Sequence, residues 1–301
     1  MTKIRLSKKK AEWAGHWKPQ TLRGKPLVPS AAEEIRFRKT IVAMTERMTA
    51  QVTREVMALA QSPAAGAMDA PGQRRTLRQT TGSIASQSRI LMARLRDRMN
   101  NQFARVVQKM AARMVGNMFR SARLSVQASI RKATDTRIPL TALQSGALNE
   151  IVKASATQTA HLIRRIPQKY LDQVEGALMR SISSQAGTGA LYTTLQDEVQ
   201  RHNITIKNWA YNTARDQTTK VFSDISREQM RAAGVKRFEW LHSGGGSEPR
   251  PLHVQLSGQV FSMDDPPVIQ EAKGKTPEIR GFPGQLINCR CKMIPVLEFQ
   301  D

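Results

Sequence analysis

Cysteine is nearly absent from this chain: there are two in 301 residues, Cys289 and Cys291, one residue apart. A disulfide between them would close a strained, very small ring, so both are expected to be reduced in a chain made in the cytoplasm. Aromatic residues are scarce at 5%, whereas methionines number 14. That balance argues against a β-sandwich rich in Tyr and Trp and for helices packed through flexible apolar side chains. No stretch of about 18 consecutive apolar residues occurs, so no membrane-spanning helix is expected. The start, from Met1 to Trp13, is basic but lacks the apolar run of a secretory signal. There is no G-x-S-x-G, no G-x4-G-K-[ST], and no G-x-G-x-x-G opening a helix after a strand, which disfavours an enzyme.

Acidic side chains are the other shortage, and it is uneven. Residues 1–150 hold 28 basic and 9 acidic side chains, an excess of 19, while the remainder holds 19 against 15. A field of that strength costs self-repulsion in the compact state, and its standard physical use is to neutralise phosphate with release of counterions, without base-specific contacts. The expected partner is double-stranded DNA; solubility alone is the plainer alternative. With 40% hydrophobic residues the chain has enough apolar material for a core.

Residues 1–30 form a basic arm with Trp13, Trp17 and three prolines but no helical or strand period. The arm is expected to be extended, with Trp13 and Trp17 as candidate anchors on a partner or as covers for the protein's own core. Ser30, with Glu33 three residues on, reads as a capping box opening a helix. Ile41, Met44, Met48, Val52, Met57 and Leu59 then recur at helical spacing up to Ser62, and residues 63–73 read as a linker. A longer helix runs from about 86 to 133, with Met92, Leu95, Met99, Phe103, Val106, Met110, Met114 and Met118 as its apolar stripe. Arg94, Arg98, Arg105, Lys109, Arg113 and Arg120 lie on other faces and are the candidate DNA-facing residues. Shorter helices are expected over 136–202, broken at Pro139, Pro167 and Gly187 to Gly189. A further helix over 204–233, around Trp209, Val221, Phe222, Ile225 and Met230, is closed by Gly234. After it, residues 235–241, 259–263 and 291–299 are strand candidates around a glycine-rich turn. The expected fold class is α+β: a mainly α-helical N-terminal two-thirds and a small α+β C-terminal domain with short antiparallel strands. Its expected divisions are an arm at 1–30, a helical domain at 31–203 and a C-terminal domain at 204–301.

That last domain is the specific part. Arg250-Pro-Leu-His253 is followed by Leu256-Ser-Gly258, Val260-Phe261, Asp264-Asp265-Pro266-Pro267, Pro283-Gly284 and Asn288-Cys289-Arg290-Cys291. Their order and spacing resemble the C-terminal pattern of the phage head morphogenesis family, the Mu F-like minor head proteins. Ala214-Arg215-Asp216-Gln217, with Gly234-Val235 and Glu239-Trp240 after it, looks like the helix and strand that precede that pattern. The resemblance covers about residues 205–299. Just before Arg250 it departs: Ser243 to Pro249 stands where the family commonly has an acidic residue and Arg or Thr, and Glu248 is the one acid there. The resemblance implies a virion protein inside the head near the portal, acting in procapsid assembly, with the portal protein and the inner capsid surface as partners.

The residues also carry chemistry of their own. In an extended chain Cys289 and Cys291 point to one side, so both sulfurs can meet one soft metal, with His253 as third ligand and His242, Glu248, Asp264 or Asp265 as candidates for a fourth. A structural zinc and a set of buried thiols beside a hydrogen-bonded histidine both account for them. Arg215, Asp216, Arg250 and Arg290 are expected to form an internal polar network. A metal-dependent nucleic-acid hydrolase and a plain nucleic-acid-binding protein remain as alternative functions.

Overall fold

The computed structural model describes residues 21–62, 83–183, 187–244 and 248–298, without the side chains of 187–191. Trp13, Trp17, the linker at 63–73 and the centre of the glycine-rich turn lie outside the described residues. The chain divides into two compact units. One comprises Arg36–Met110 and Thr159–Ala214; the other comprises Met1–Ile35, Ala111–Gln158 and Arg215–Asp301.

Four long helices supply most of both: α1 Ala31–Ala60, α2 Ile84–Thr134, α3 Gly146–Ser183 and α4 Gly187–Ala232. Among the described residues the first unit is built from their segments, and ion pairs link them in a ring. Glu55 of α1 meets Arg98 of α2, Arg96 of α2 meets Asp172 and Glu175 of α3, Arg180 of α3 meets Glu198 of α4, and Lys207 of α4 meets Glu46 of α1. Inside that ring Tyr170 donates to Asn203, which donates to Thr53. Burial pushes the Tyr170 hydroxyl up to about 12.

The apolar stripes differ in detail from the expected ones. In α1, Phe37, Ile41, Met48, Val52, Val56 and Ala60 are buried, while Met57 and Leu59 are only partly so. In α2, Val107 and Ala111 are inside, whereas Val106 is 46% exposed. A helix turns by about 100° per residue, and steps of four from Leu95 through Met99 and Phe103 arrive at Val107.

One of the expected breaks over 136–202 is also corrected. Asp135 to Pro139 does separate α2 from a short 3-10 turn, Leu140–Leu143, but α3 runs through Pro167 without ending. A proline in a helix interior costs about 3 kcal/mol. Here Ile163, Ile166, Tyr170, Leu171 and Val174 around it are all fully buried, and each such side chain contributes about 1.5–3 kcal/mol. The break expected at Gly187 to Gly189 falls at the start of α4, since α3 ends at Ser183 and α4 begins at Gly187; α4 then continues through residue 204 to Ala232. Its end is a Schellman turn: Val235 N–H donates to Met230 O, Gly234 N–H to Arg231 O, and Gly234 has φ +82°.

The second unit carries the strands, and the α+β expectation holds. Strands β1 Thr21–Arg23, β2 Arg237–Leu241, β3 Val260–Ser262 and β6 Lys292–Glu298 form one antiparallel sheet in the order β1-β6-β2-β3. A two-stranded ribbon, β4 Val268–Gln270 with β5 Ile279–Arg280, accompanies it. Pro295 sits in β6 although a proline cannot donate to a ladder. The carbonyls of Met293 and Pro295 accept from Leu27 and Gly24, so the missing N–H faces the short outer strand rather than β2.

Residues 21–30 thus dock on the protein's own body. After β1 the chain follows α2 along three serines one turn apart. Lys25 N–H donates to Ser129 Oγ at 2.8 Å, Val28 N–H to Ser125 Oγ at 3.2 Å and Ser30 N–H to Ser121 Oγ at 3.0 Å. Gly24 lies so close that a Cβ there would stand 2.3 Å from Ser129 Oγ. Ser30 Oγ accepts from Glu33 N–H at 3.4 Å, while the Glu33 carboxylate accepts from Asn117. Among the described residues no helix is long and apolar enough to cross a membrane.

Candidate metal centre

His253 lies on α5, the five-residue helix Pro251–Gln255, whose first-turn proline already has the φ a helix needs. The helix turns its imidazole inward, leaving the residue 2% exposed, with its ring edge-on to Trp240 at 5.1 Å between centroids. Nε2 stands 3.1 Å from the carbonyl of Ile269 in β4, an acceptor only. That contact assigns the proton to Nε2 and leaves the single lone pair of Nδ1 facing the other way.

Both cysteines face that lone pair. Cys289 Sγ is 3.5 Å and Cys291 Sγ 3.6 Å from His253 Nδ1, although they are 36 and 38 residues away along the chain. Both are buried, while Arg290 between them is exposed. They precede β6, which begins at Lys292, so an extended segment rather than a strand sets their common side.

The loop that carries them is tied down from α4 and α5. Asp216 Oδ1 accepts from Asn288 N–H at 2.7 Å, and Arg250 donates to Ile287 O at 2.9 Å; Asn288 itself has φ +60°. Asp216 also meets Lys220 at 2.9 Å. Arg215 and Arg290 form no ion pair among the described residues; the contacts that hold this loop come from Asp216 and Arg250. The Pro-Gly turn is held the same way: Pro283 O accepts from Ser223 of α4, and Gly284, at φ +87°, points its N–H at Cys289 Sγ at 3.3 Å.

The Cys291 S–H acting as donor to Cys289 pulls the Cys289 thiol well down, helped by His253 and Gly284 N–H against its burial. Cys291 is pushed up as the donor and by burial. The buried Trp240 Nε1–H has no hydrogen-bond partner among the described residues, and it lies near enough to Cys291 to favour a thiolate there. His253, Cys289 and Cys291 are the cluster of metal-ligating side chains among the described residues, with ligand atoms within 4.8 Å of one another. The four candidates for a fourth ligand stand apart. His242 Nδ1 accepts from Gly244 N–H, Asp265 pairs with Arg280, Asp264 is 92% exposed and Glu248 is exposed.

Residues 172–294, which contain all of these groups, match the family model described as phage Mu protein F like protein. Over those residues the chain is similar to the phage Mu protein F-like family. This Mu F-like family is one of phage head morphogenesis. An uncharacterized protein of Haemophilus influenzae (strain ATCC 51907 / DSM 11121 / KW20 / Rd) is 28% identical over 151 residues, 50% of this chain. The aligned region spans 30% of that relative's length. No solved structure matches the chain.

The Mu F-like signature now has local reasons. Leu256 is buried and Gly258, at φ +85°, donates to Trp240 O; Glu239 is buried and paired with Arg23 of β1. The serine ladder on α2 and the β4–β5 ribbon were not expected. Ser121, Ser125 and Ser129 at steps of four were the available signal for the first.

Proposed function

We propose that this Mu F-like protein is a phage minor head protein that acts in procapsid assembly at the portal, stays inside the head and touches the packaged DNA through its basic helices. The observation that carries the head role is the family match over residues 172–294. The DNA contact rests on charge and exposure. Arg94, Arg98, Arg105, Lys109, Arg113 and Arg120 are all exposed on α2. Their spacings of four and seven keep them within about 100° of arc on the helix. Arg98 is half committed to Glu55, and Arg120 donates to Asn117; Arg94, Arg105, Lys109 and Arg113 take no ion pair among the described residues.

A cavity of about 860 Å³ in the strand-bearing unit supports the same reading: Lys25, Arg131, Lys132 and Arg137 line it against one acid, Asp135. Such a surface suits phosphates and carries no sequence information.

The test is binding to random-sequence duplex DNA across a salt series, with portal co-purification in parallel. Binding that weakens steeply with salt is expected. Replacing Arg94, Arg105 and Lys109 by Glu should lower affinity on all sequences alike and reduce the salt slope by roughly one per cation removed. Sequence-independent binding without portal association would sink the portal assignment, and salt-insensitive binding would sink the phosphate contact. Cleavage of the DNA when zinc or magnesium is added would favour the hydrolase instead.

A further inference from the structure

We infer that His253 Nδ1, Cys289 Sγ and Cys291 Sγ bind a zinc ion, which fastens the segment before β6 to α5 in the strand-bearing unit. Zinc takes sulfur at about 2.3 Å and nitrogen at about 2.0–2.1 Å in a tetrahedron, which puts sulfur and nitrogen ligands roughly 3.6 Å apart. The two contacts on the imidazole measure 3.5 and 3.6 Å. Thiol hydrogen bonds to the imidazole satisfy the same atoms less well. Nδ1 has one lone pair, so it accepts from one S–H and leaves the second sulfur facing it with no lone pair to donate to. A metal at the centre of the three takes one lone pair from each.

The surroundings are those of a metal-bound thiolate pair. Ile269 O holds the far nitrogen of the imidazole, Gly284 N–H points at one sulfur, and the otherwise unpartnered Trp240 Nε1–H lies near the other. Two sulfurs and one imidazole select zinc over magnesium or calcium, which want oxygen. Binding releases the two thiol protons and leaves both cysteines as thiolates on the metal. The fourth position falls to water, since no further His, Cys or carboxylate joins the three among the described residues.

The experiment uses the full chain, made with zinc supplied and purified in reductant without chelator. Elemental analysis should find stoichiometric zinc, and X-ray absorption at the zinc edge should show two sulfur and two nitrogen or oxygen neighbours. Replacing both Cys289 and Cys291 by Ser should lower zinc content at least roughly tenfold, whereas Arg290→Ala, on the exposed residue between them, should keep it. Because the double variant is at risk of misfolding, cobalt titration of the metal-stripped native chain provides a second reading, with thiolate-to-cobalt charge-transfer bands expected. Two freely titratable thiols with no zinc and no such bands would overturn the inference, as would zinc whose neighbours include no sulfur. Neither outcome bears on DNA binding, which rests on other residues.

Discussion

Single residues decide how the centre is built, and two of them give predictions. Gly284 combines φ +87° with a site where a Cβ would stand 3.1 Å from Ser223 Cβ. Gly284→Ala should therefore cost roughly 1–3 kcal/mol in a denaturant melt and displace the N–H that faces Cys289. A variant as stable as the parent would show that the Pro-Gly turn is not held to that shape. Asp224 of α4 is half-buried beside Arg227, and desolvation raises its carboxyl above the usual range despite that neighbour. A folded-state value above the unfolded one contributes stability at low pH that is lost as pH rises through it. Asp224→Asn should thus leave the melting temperature at pH 7 unchanged or higher, with the gap closing on acidification. A large drop at pH 7 would mean that the Arg227 contact outweighs the burial. At this scale the sequence was partly legible: His253 and both cysteines were picked out together because their residue types are uncommon in one short domain. Which nitrogen of His253 faces the sulfurs was not legible, since Ile269 O, sixteen residues on, settles it.

Among the elements, the extended segment at 21–30 changes most on passing from sequence to structure. It lacks any period because it belongs to two things at once, the edge of a sheet and the side of α2. Ser129 is fully buried and serves both the N–H and the carbonyl of Lys25. Ser129→Ala strands two backbone groups and should cost about 1–3 kcal/mol, measurable as a shift in the denaturant midpoint. An unchanged midpoint would mean that water replaces the hydroxyl. Arg23→Ala should be costlier than Arg237→Ala. The first leaves Glu239, 5% exposed, without its cation, while the second breaks a surface pair with Glu298 worth at most about 1 kcal/mol. Equal effects would show that Glu239 finds water. Helix existence was readable from apolar spacing, and the Gly234 stop from its position. Pro167 misled because local propensity is weak beside the burial of the surrounding side chains.

For the whole molecule the governing quantity is the charge of +23, concentrated before residue 150. It predicts electrostatics wherever the cations are exposed, and α2 exposes them while its other face is buried. A variant with reduced charge, in which Arg131, Lys132 and Arg137 are changed to Gln, should bind DNA several-fold more weakly at moderate salt while melting within about 0.5 kcal/mol of the parent. Loss of stability without loss of binding would place those residues in the fold instead of at the phosphate surface.

Composition and periodicity by themselves determined that this chain is mainly helical, basic toward its start and strand-bearing toward its end, and the order of motifs from Arg250 to Cys291 carried the resemblance to phage head proteins. Those properties are local or additive, and neighbouring residues suffice to read them. Tertiary structure alone decided that Val107 rather than Val106 is inside, that residues 21–30 complete a sheet, and that two sulfurs converge on one imidazole nitrogen. Each of those depends on groups far apart in the chain, brought together by Asp216, Arg250 and Ser223 holding loops whose own sequences have no preferred partner.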